Sequence, residues 1–309
     1  MVNVVTDGRR SDGEMNLSGV GVWSSQLRYG DPAEAADAAA ELEELGYPAL
    51  WIPDVGGNLF DSVANLLSAT SRVVIATGIL NLWMHSASET AQQHAKLSAD
   101  HENRFLLGIG VSHAPLIDAK QPGRYRRPLQ ATKEYLDGLD SAETPVPVGQ
   151  RVLAALGPKM LDLAATRSRG AHPYLVTPEH TRGAREALGD GPLLLPEQTA
   201  ILCDTAEQAR AIGTEFLQGY LQMPNYANNL LRIGFTEDDL TTVSDRLFDA
   251  LIAWGDEETI LRRVAEHQAA GADHVCVQLL ASGGRTEFPR EQWRRLAAAL
   301  DDVNRSAPR

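Results

Sequence analysis

Eight times along this chain a short, almost continuously apolar run is followed by a longer amphipathic one, and that alternation constrains the fold more than any other feature. The apolar runs cover residues 20–23, 49–52, 73–79, 105–110, 152–156, 171–176, 199–203 and 274–279. They are of strand length, and in most of them apolar residues do not alternate with polar ones. Strands of that kind have both faces covered, as in a parallel sheet flanked by helices. The segments 31–46, 60–70, 88–100, 128–139, 158–167, 178–188, 205–218 and 290–300 read as the helices between and after them. In the first of these Asp31 is placed to cap, Pro32 sits in the first turn and Gly46 ends the helix. Eight βα units within 309 residues predict an α/β protein of the (β/α)8 TIM-barrel type rather than an open doubly wound sheet.

Residues 219–255 break the repeat. They hold Pro224, a polar stretch at 225–229 and an amphipathic stretch at 247–254, and read as a helical insertion before the last βα unit. No Pro-, Gly- or Ser-rich linker divides the chain, so 17–309 reads as one domain. Residues 1–16 are polar, carry Arg9 and Arg10, lack the apolar stretch of a secretory signal, and read as a loose extension.

A hydrophobic share of 43% with 22% charged residues fits a soluble globular protein. There is no run of about 20 apolar residues to cross a membrane. With 28 basic against 41 acidic residues the formal charge is −13, which argues against nucleic acid and anionic membranes as partners and leaves small molecules. Cys203 and Cys276 are the only cysteines, both in apolar runs, and read as buried free thiols in a cytoplasmic protein.

In such a barrel the site lies on the loops that follow the strands. These hold Ser24 and Ser25, then 53–57, 78–85, 110–115, 157–159, 172–178, Asp204 and 278–284. Leu107-Gly108-Ile109-Gly110 is not a dinucleotide fingerprint, because Val-Ser-His-Ala-Pro follows without the third glycine or an immediate helix. Gly157-Pro158-Lys159-Met160 fits two readings: an anion site at a helix N-terminus, or an ordinary proline-started helix. His94 and His101, seven apart on one helix, read as packing or surface residues. No cluster has metal-ligand spacing and no Gly-x-Ser-x-Gly elbow is present. His85, His113 and His172 stand singly at strand ends; each can move a proton near neutral pH or simply be a satisfied polar residue.

Several segments together resemble the luciferase-like monooxygenase superfamily, and within it the actinobacterial coenzyme F420-dependent oxidoreductases: GYPALWIPD at 46–54, VIATGILNLW at 74–83, RFLLGIGVSHA at 104–114, ALGPKM at 155–160, GAHPYLVTPEH at 170–180 and AGADHVCVQL at 270–279. The resemblance implies a TIM barrel, a homodimer, and F420 as cofactor, with FMN as the alternative. It implies a bulge with a non-prolyl cis peptide at Gly78–Ile79 that backs the tricyclic ring, Asp54 on the ring's polar edge, Gly110 and Ser112 alongside, and Ala155, Leu156, Gly157 and Pro158 receiving the phosphate, with Lys159 adding charge. This sequence departs from the family in two places. Val55 stands where sugar-phosphate dehydrogenases have a histidine after the aspartate, and His113 replaces the usual acid of the fourth-strand loop. Sugar-phosphate oxidation and light emission are therefore not carried over. His113 and, second, His172 are the expected proton-transfer residues, with Trp83 and Tyr174 lining the substrate pocket. Hydride transfer to or from an organic substrate, an FMN-dependent monooxygenation, and a non-catalytic cofactor-binding protein are the readings that follow.

Overall fold

The computed structural model describes residues 15, 17–54, 56–281 and 287–306. The 1–16 extension, but for Met15, and part of the 278–284 loop lie outside the described residues. In chain order the elements are β1 (Gly19–Trp23), α1 (Gln26–Tyr29), α2 (Pro32–Glu44), β2 (Ala49–Ile52), α3 (Leu59–Ala69), β3 (Val74–Thr77), β4 (Leu80–Asn81), α4 (Ala87–Asp100), β5 (Phe105–Gly110), α5 (Ala114–Lys120), α6 (Pro128–Asp140), β6 (Arg151–Leu153) and α7 (Pro158–Arg167). There follow β7 (Gly170–Ala171), α8 (Pro178–Leu188), β8 (Leu193–Leu194), β9 (Glu197–Leu202), α9 (Ala206–Leu221), α10 (Pro224–Arg232), α11 (Glu237–Thr242), α12 (Asp245–Leu251), β10 (Ile252–Gly255), α13 (Glu257–Ala269), β11 (His274–Leu279) and α14 (Arg290–Ser306).

All strand pairings among the described residues are parallel, in the order β11-β1-β2-β3-β5-β6-β7-β8. β8 and β9 are one run interrupted at Leu195 and Pro196. β8 pairs with β7 and β9 with β11, and the Leu195 and Cys276 amides carry the ladder across by donating to Ala171 O and Pro196 O. The sheet therefore closes on itself as a TIM-type barrel. β10 pairs with β9 where β7 has ended.

Local chemistry explains the elements. Asp31 caps α2 by accepting from the Ala33 and Glu34 amides, a bond set worth about 1 kcal/mol. The barrel interior holds Trp51, Ala76, Leu106, Val152, Leu195 and Cys276, while Leu50, Ile75 and Leu107 pack outward against the helices. Trp51 is wholly buried. Its indole N–H donates to His274 Nε2 at 3.2 Å and its ring stacks on His172 at 4.3 Å.

The structure departs from the sequence pattern at particular points. The expected strand 73–79 is broken after Thr77 and resumes as β4. The expected strand 171–176 stops at Ala171, because Pro173 cannot donate to a ladder and Leu175 turns into the left-handed region at φ 55°. The strand expected at 199–203 starts earlier, its first half hidden between Pro192 and Pro196. The 219–255 insertion contains α10, α11 and α12 but ends in β10, so the stretch 247–254 is helix only to Leu251. Helix α13, capped by Asp256 through the Thr259 amide, was not among the expected elements. Cys276 is buried but Cys203 is half-exposed.

Candidate active site

The parallel ladder delivers every strand's C-terminal end to one face. Asp54, just past β2, has its carboxylate enclosed there. Its Oδ2 accepts the Asn81 backbone amide at 3.1 Å and faces His85 Nε2 at 2.9 Å, while Oδ1 is buried with no hydrogen-bond partner among the described residues. His85 comes from the β4–α4 connection, and its ring meets the edge of Phe60. Trp83, in the same connection, is half-buried. Its indole donates to Val111 O at 2.8 Å and its ring lies against Tyr125.

The Gly78–Ile79 peptide is cis and forms the break between β3 and β4. Gly78 O accepts the Trp23 indole N–H at 3.1 Å. Beneath it lies His172, which is 1% exposed. Its Nδ1–H donates to Leu195 O at 2.7 Å, which leaves Nε2 as an unpaired acceptor. A Cβ at Gly78 would stand 3.0 Å from that nitrogen. Burial pulls the imidazole down to about 4, so it is neutral at ordinary pH. His172 thus props the bulge from inside the barrel. Gly110, at the end of β5, faces the bulge: a Cβ there would meet the Ile79 side chain at 2.6 Å. Ser112 follows in the left-handed region at φ 54°.

The 155–159 loop leads into α7 with Pro158 at its first turn, so free backbone N–H groups point outward at Gly157. Ala155 and Leu156 form the approach, and Leu156 O accepts His180 Nε2–H at 2.9 Å. Lys159 is exposed. Arg232, at the end of α10, brings its guanidinium within 3.8 Å of where a Gly157 Cβ would be, and also donates to Asn229 Oδ1. Burial and the nearby Arg232 charge both lower the His180 pKa.

The insertion closes over the mouth. Its Asn225 accepts at 2.9 Å from Nδ1 of the half-buried His113, whose ring also lies 5.1 Å from that of Tyr226. Burial lowers the His113 pKa and the Asn225 bond partly offsets this. Tyr174 sits between floor and cover. Its ring is 5.3 Å from those of Trp23 and Tyr220, and its hydroxyl donates to Gln278 Oε1 at 2.6 Å.

The expected residues thus gather on one face, with His172 below it. Three contributors were not singled out from sequence: Arg232 beside Gly157, and Asn225 with Tyr226 beside His113. His85 was read as a strand-end histidine, but its pairing with Asp54 was not. Among the described residues no group of three or more His, Cys, Asp or Glu is arranged to hold a metal, and no helix is long and apolar enough to cross a membrane.

The fit to a flat, phosphate-bearing redox cofactor can be judged on these atoms. The orphaned Asp54 Oδ1 is an acceptor suited to a ring N–H, and α7 with Arg232 suits a phosphate. A closed parallel barrel with a cradle of this kind defines a class of α/β-barrel proteins that bind small molecules at the strand ends. The chain matches the sequence profile of the luciferase-like monooxygenases over residues 15–274 and belongs to that family. A protein of Mycobacterium tuberculosis with the provisional name coenzyme F420-dependent oxidoreductase is 24% identical, over 91% of this chain and 97% of its own. An F420-dependent secondary alcohol dehydrogenase, solved with an F420-acetone adduct, superposes with a TM-score of 0.71 at 16% identity, over 93% of this chain and 99% of that one. The FMN-bound oxygenating constituent of 3,6-diketocamphane monooxygenase from Pseudomonas putida superposes at 0.67 with 13% identity, over 91% and 96%. At these identities the structural likeness establishes the fold.

Proposed function

We propose that the protein is an oxidoreductase that works with the deazaflavin F420 on a small organic substrate. The observation that carries this is the buried, unpaired Asp54 Oδ1 at the end of β2, with its sister oxygen already fixed by Asn81 and His85. An acceptor held in that way is costly unless a donor meets it. The mycobacterial relative's name favours F420 over FMN; the FMN-bound neighbour keeps the flavin reading as the alternative.

When bound, a deazaflavin supplies two electrons as a hydride. The chain's own part is binding, orientation and proton handling. Asp54 fixes the polar edge, the Gly78–Ile79 bulge and Gly110 set the floor, and Gly157, Pro158, Lys159 and Arg232 hold the phosphate end. His113 is the proton-transfer residue: with Nδ1–H engaged by Asn225, its Nε2 lone pair is open to accept a proton, the arrangement of a general base for alcohol oxidation. Trp83 and Tyr174 form walls that exclude water.

Titration of the purified protein with F420 and with FMN, followed by fluorescence and calorimetry, tests the cofactor choice. F420 is expected to bind more tightly. Tight FMN binding without F420 binding, with oxygen consumption on adding reduced FMN and substrate, would move the assignment to a flavin monooxygenase.

A further inference from the structure

The buried acid Glu197 has no part in the mechanism above, yet it holds one side of the mouth. It is wholly buried at the start of β9. Its amide donates to Pro173 O at 2.9 Å, and its Oε2 accepts the Leu175 amide at 3.1 Å. One residue therefore grips the turn after β7 on both sides of Tyr174. Leu175 lies in the left-handed region at φ 55°, where a branched side chain is disfavoured without outside support. Glu197 Oε1 is held in turn by the Thr199 hydroxyl at 2.6 Å. Between the two grips the Tyr174 side chain reaches Trp23, Gln278 and Tyr220, and so joins the barrel floor to the insertion.

We infer that Glu197 is a positioning residue that pins the 173–175 turn, and with it the Tyr174 wall, more firmly when ionised than when protonated. This rests on the reading of the mouth as the substrate pocket. The physical reason is that an N–H donated to a carboxylate is markedly stronger than one donated to a neutral carboxyl. The groups facing Glu197 are Tyr174 from the turn, Tyr226 from α10 and Cys276 from β11, with the neutral His172 beyond Cys276 at 3.9 Å from its sulfur. Among the described residues no cationic side chain is hydrogen-bonded to it. Burial pushes its carboxyl up to about 7 against the pull of Thr199 and the Leu175 amide, so its charge changes near neutrality. The turn then tightens as pH rises through that range.

Amide hydrogen exchange of the 173–176 segment, corrected for intrinsic rates and followed from pH 6 to 8, tests this without any cofactor. Its failure would therefore leave the F420 reading standing. In the wild type, protection should rise several-fold across the range, while the β5 strand, which does not pair with β9, serves as an unchanging internal reference. Glu197→Gln keeps an acceptor for Leu175 but not the charge, so protection should persist and become flat with pH. Glu197→Ala should lose about tenfold or more of the protection at every pH. Thr199→Val removes a bond that favours the ionised form, so the midpoint should move to higher pH; this variant and Glu197→Gln carry the test if Glu197→Ala does not fold. A wild-type profile as flat as that of Glu197→Gln, or full protection in Glu197→Ala, would overturn the inference.

Discussion

His85 Nε2 lies 2.9 Å from Asp54 Oδ2, so a histidine from the β4–α4 connection fixes an aspartate at the end of β2. With the Asn81 backbone amide on the same oxygen, the carboxylate is held from two sides, while Oδ1 has no partner among the described residues. His85→Ala removes one of the two restraints and should weaken F420 binding about tenfold. Asp54→Ala removes the acceptor itself and should cost roughly 2–3 kcal/mol, as expected for a hydrogen bond to a charged group. Equilibrium titration of both variants checks this; unchanged affinity in Asp54→Ala would remove Asp54 from the cofactor site.

His113→Ala should lower kcat/KM by roughly 10²–10⁴-fold, the usual contribution of a positioned acid or base. Burial lowers the His113 pKa, so the acid limb of kcat/KM in the oxidative direction should fall below pH 6.5. The Asn225 bond raises that pKa, so Asn225→Ala should move the limb to still lower pH. The pH profiles of the two enzymes decide the matter.

Arg232 is the charged side chain nearest Gly157. Arg232→Ala should weaken a phosphate-bearing cofactor by about tenfold and flatten the salt dependence of binding. Lys159→Ala, at an exposed position, should do so by less. Titrations at low and high salt measure both.

Buried histidines should make the fold acid-sensitive. Burial lowers His94 and His172 to about 4, and His267 and His274 to about 3. Because the folded values lie below the unfolded one, their contribution is fully present above about pH 6.5 and is lost as pH falls towards 4–3. Against global unfolding, which exposes the carboxyl to water and does not merely release the Leu175 amide, Glu197 acts in the opposite sense: raised to about 7, its contribution is full below about pH 4.5 and is lost as pH rises through 7. Urea unfolding at stepped pH should show stability falling below 6.5, with a shallower fall in His94→Gln.

Gly108→Ala tests the close approach of β5 to the end of β3. A Cβ there would stand 1.9 Å from Thr77 O, which the β3 backbone cannot yield without shifting. The substitution should cost roughly 3 kcal/mol of stability by denaturant titration.

Much of this fold was legible because the strand cores at 49–52 and 105–110 are apolar on both faces, and only a parallel sheet under helices needs that. The β8–β9 strand was harder to see, since Pro192 and Pro196 look like loop residues, and Glu197 in its middle looks solvent-facing until the barrel encloses it. The site was legible as a set of strand ends. Its pairings were not: Asp54 and His85 are 31 residues apart, and His113 and Asn225 are 112 apart. No local period records such contacts; they exist only once the ladder has closed and the insertion has folded back over it.

A crystal structure with F420 bound is the most direct test of the central claim. The expected result places the tricyclic ring against Gly78–Ile79, a ring N–H on Asp54 Oδ1, the phosphate between the start of α7 and Arg232, and the open ring face towards His113 and Tyr174. A ring bound elsewhere, or Asp54 Oδ1 still unmet beside a bound cofactor, would contradict it.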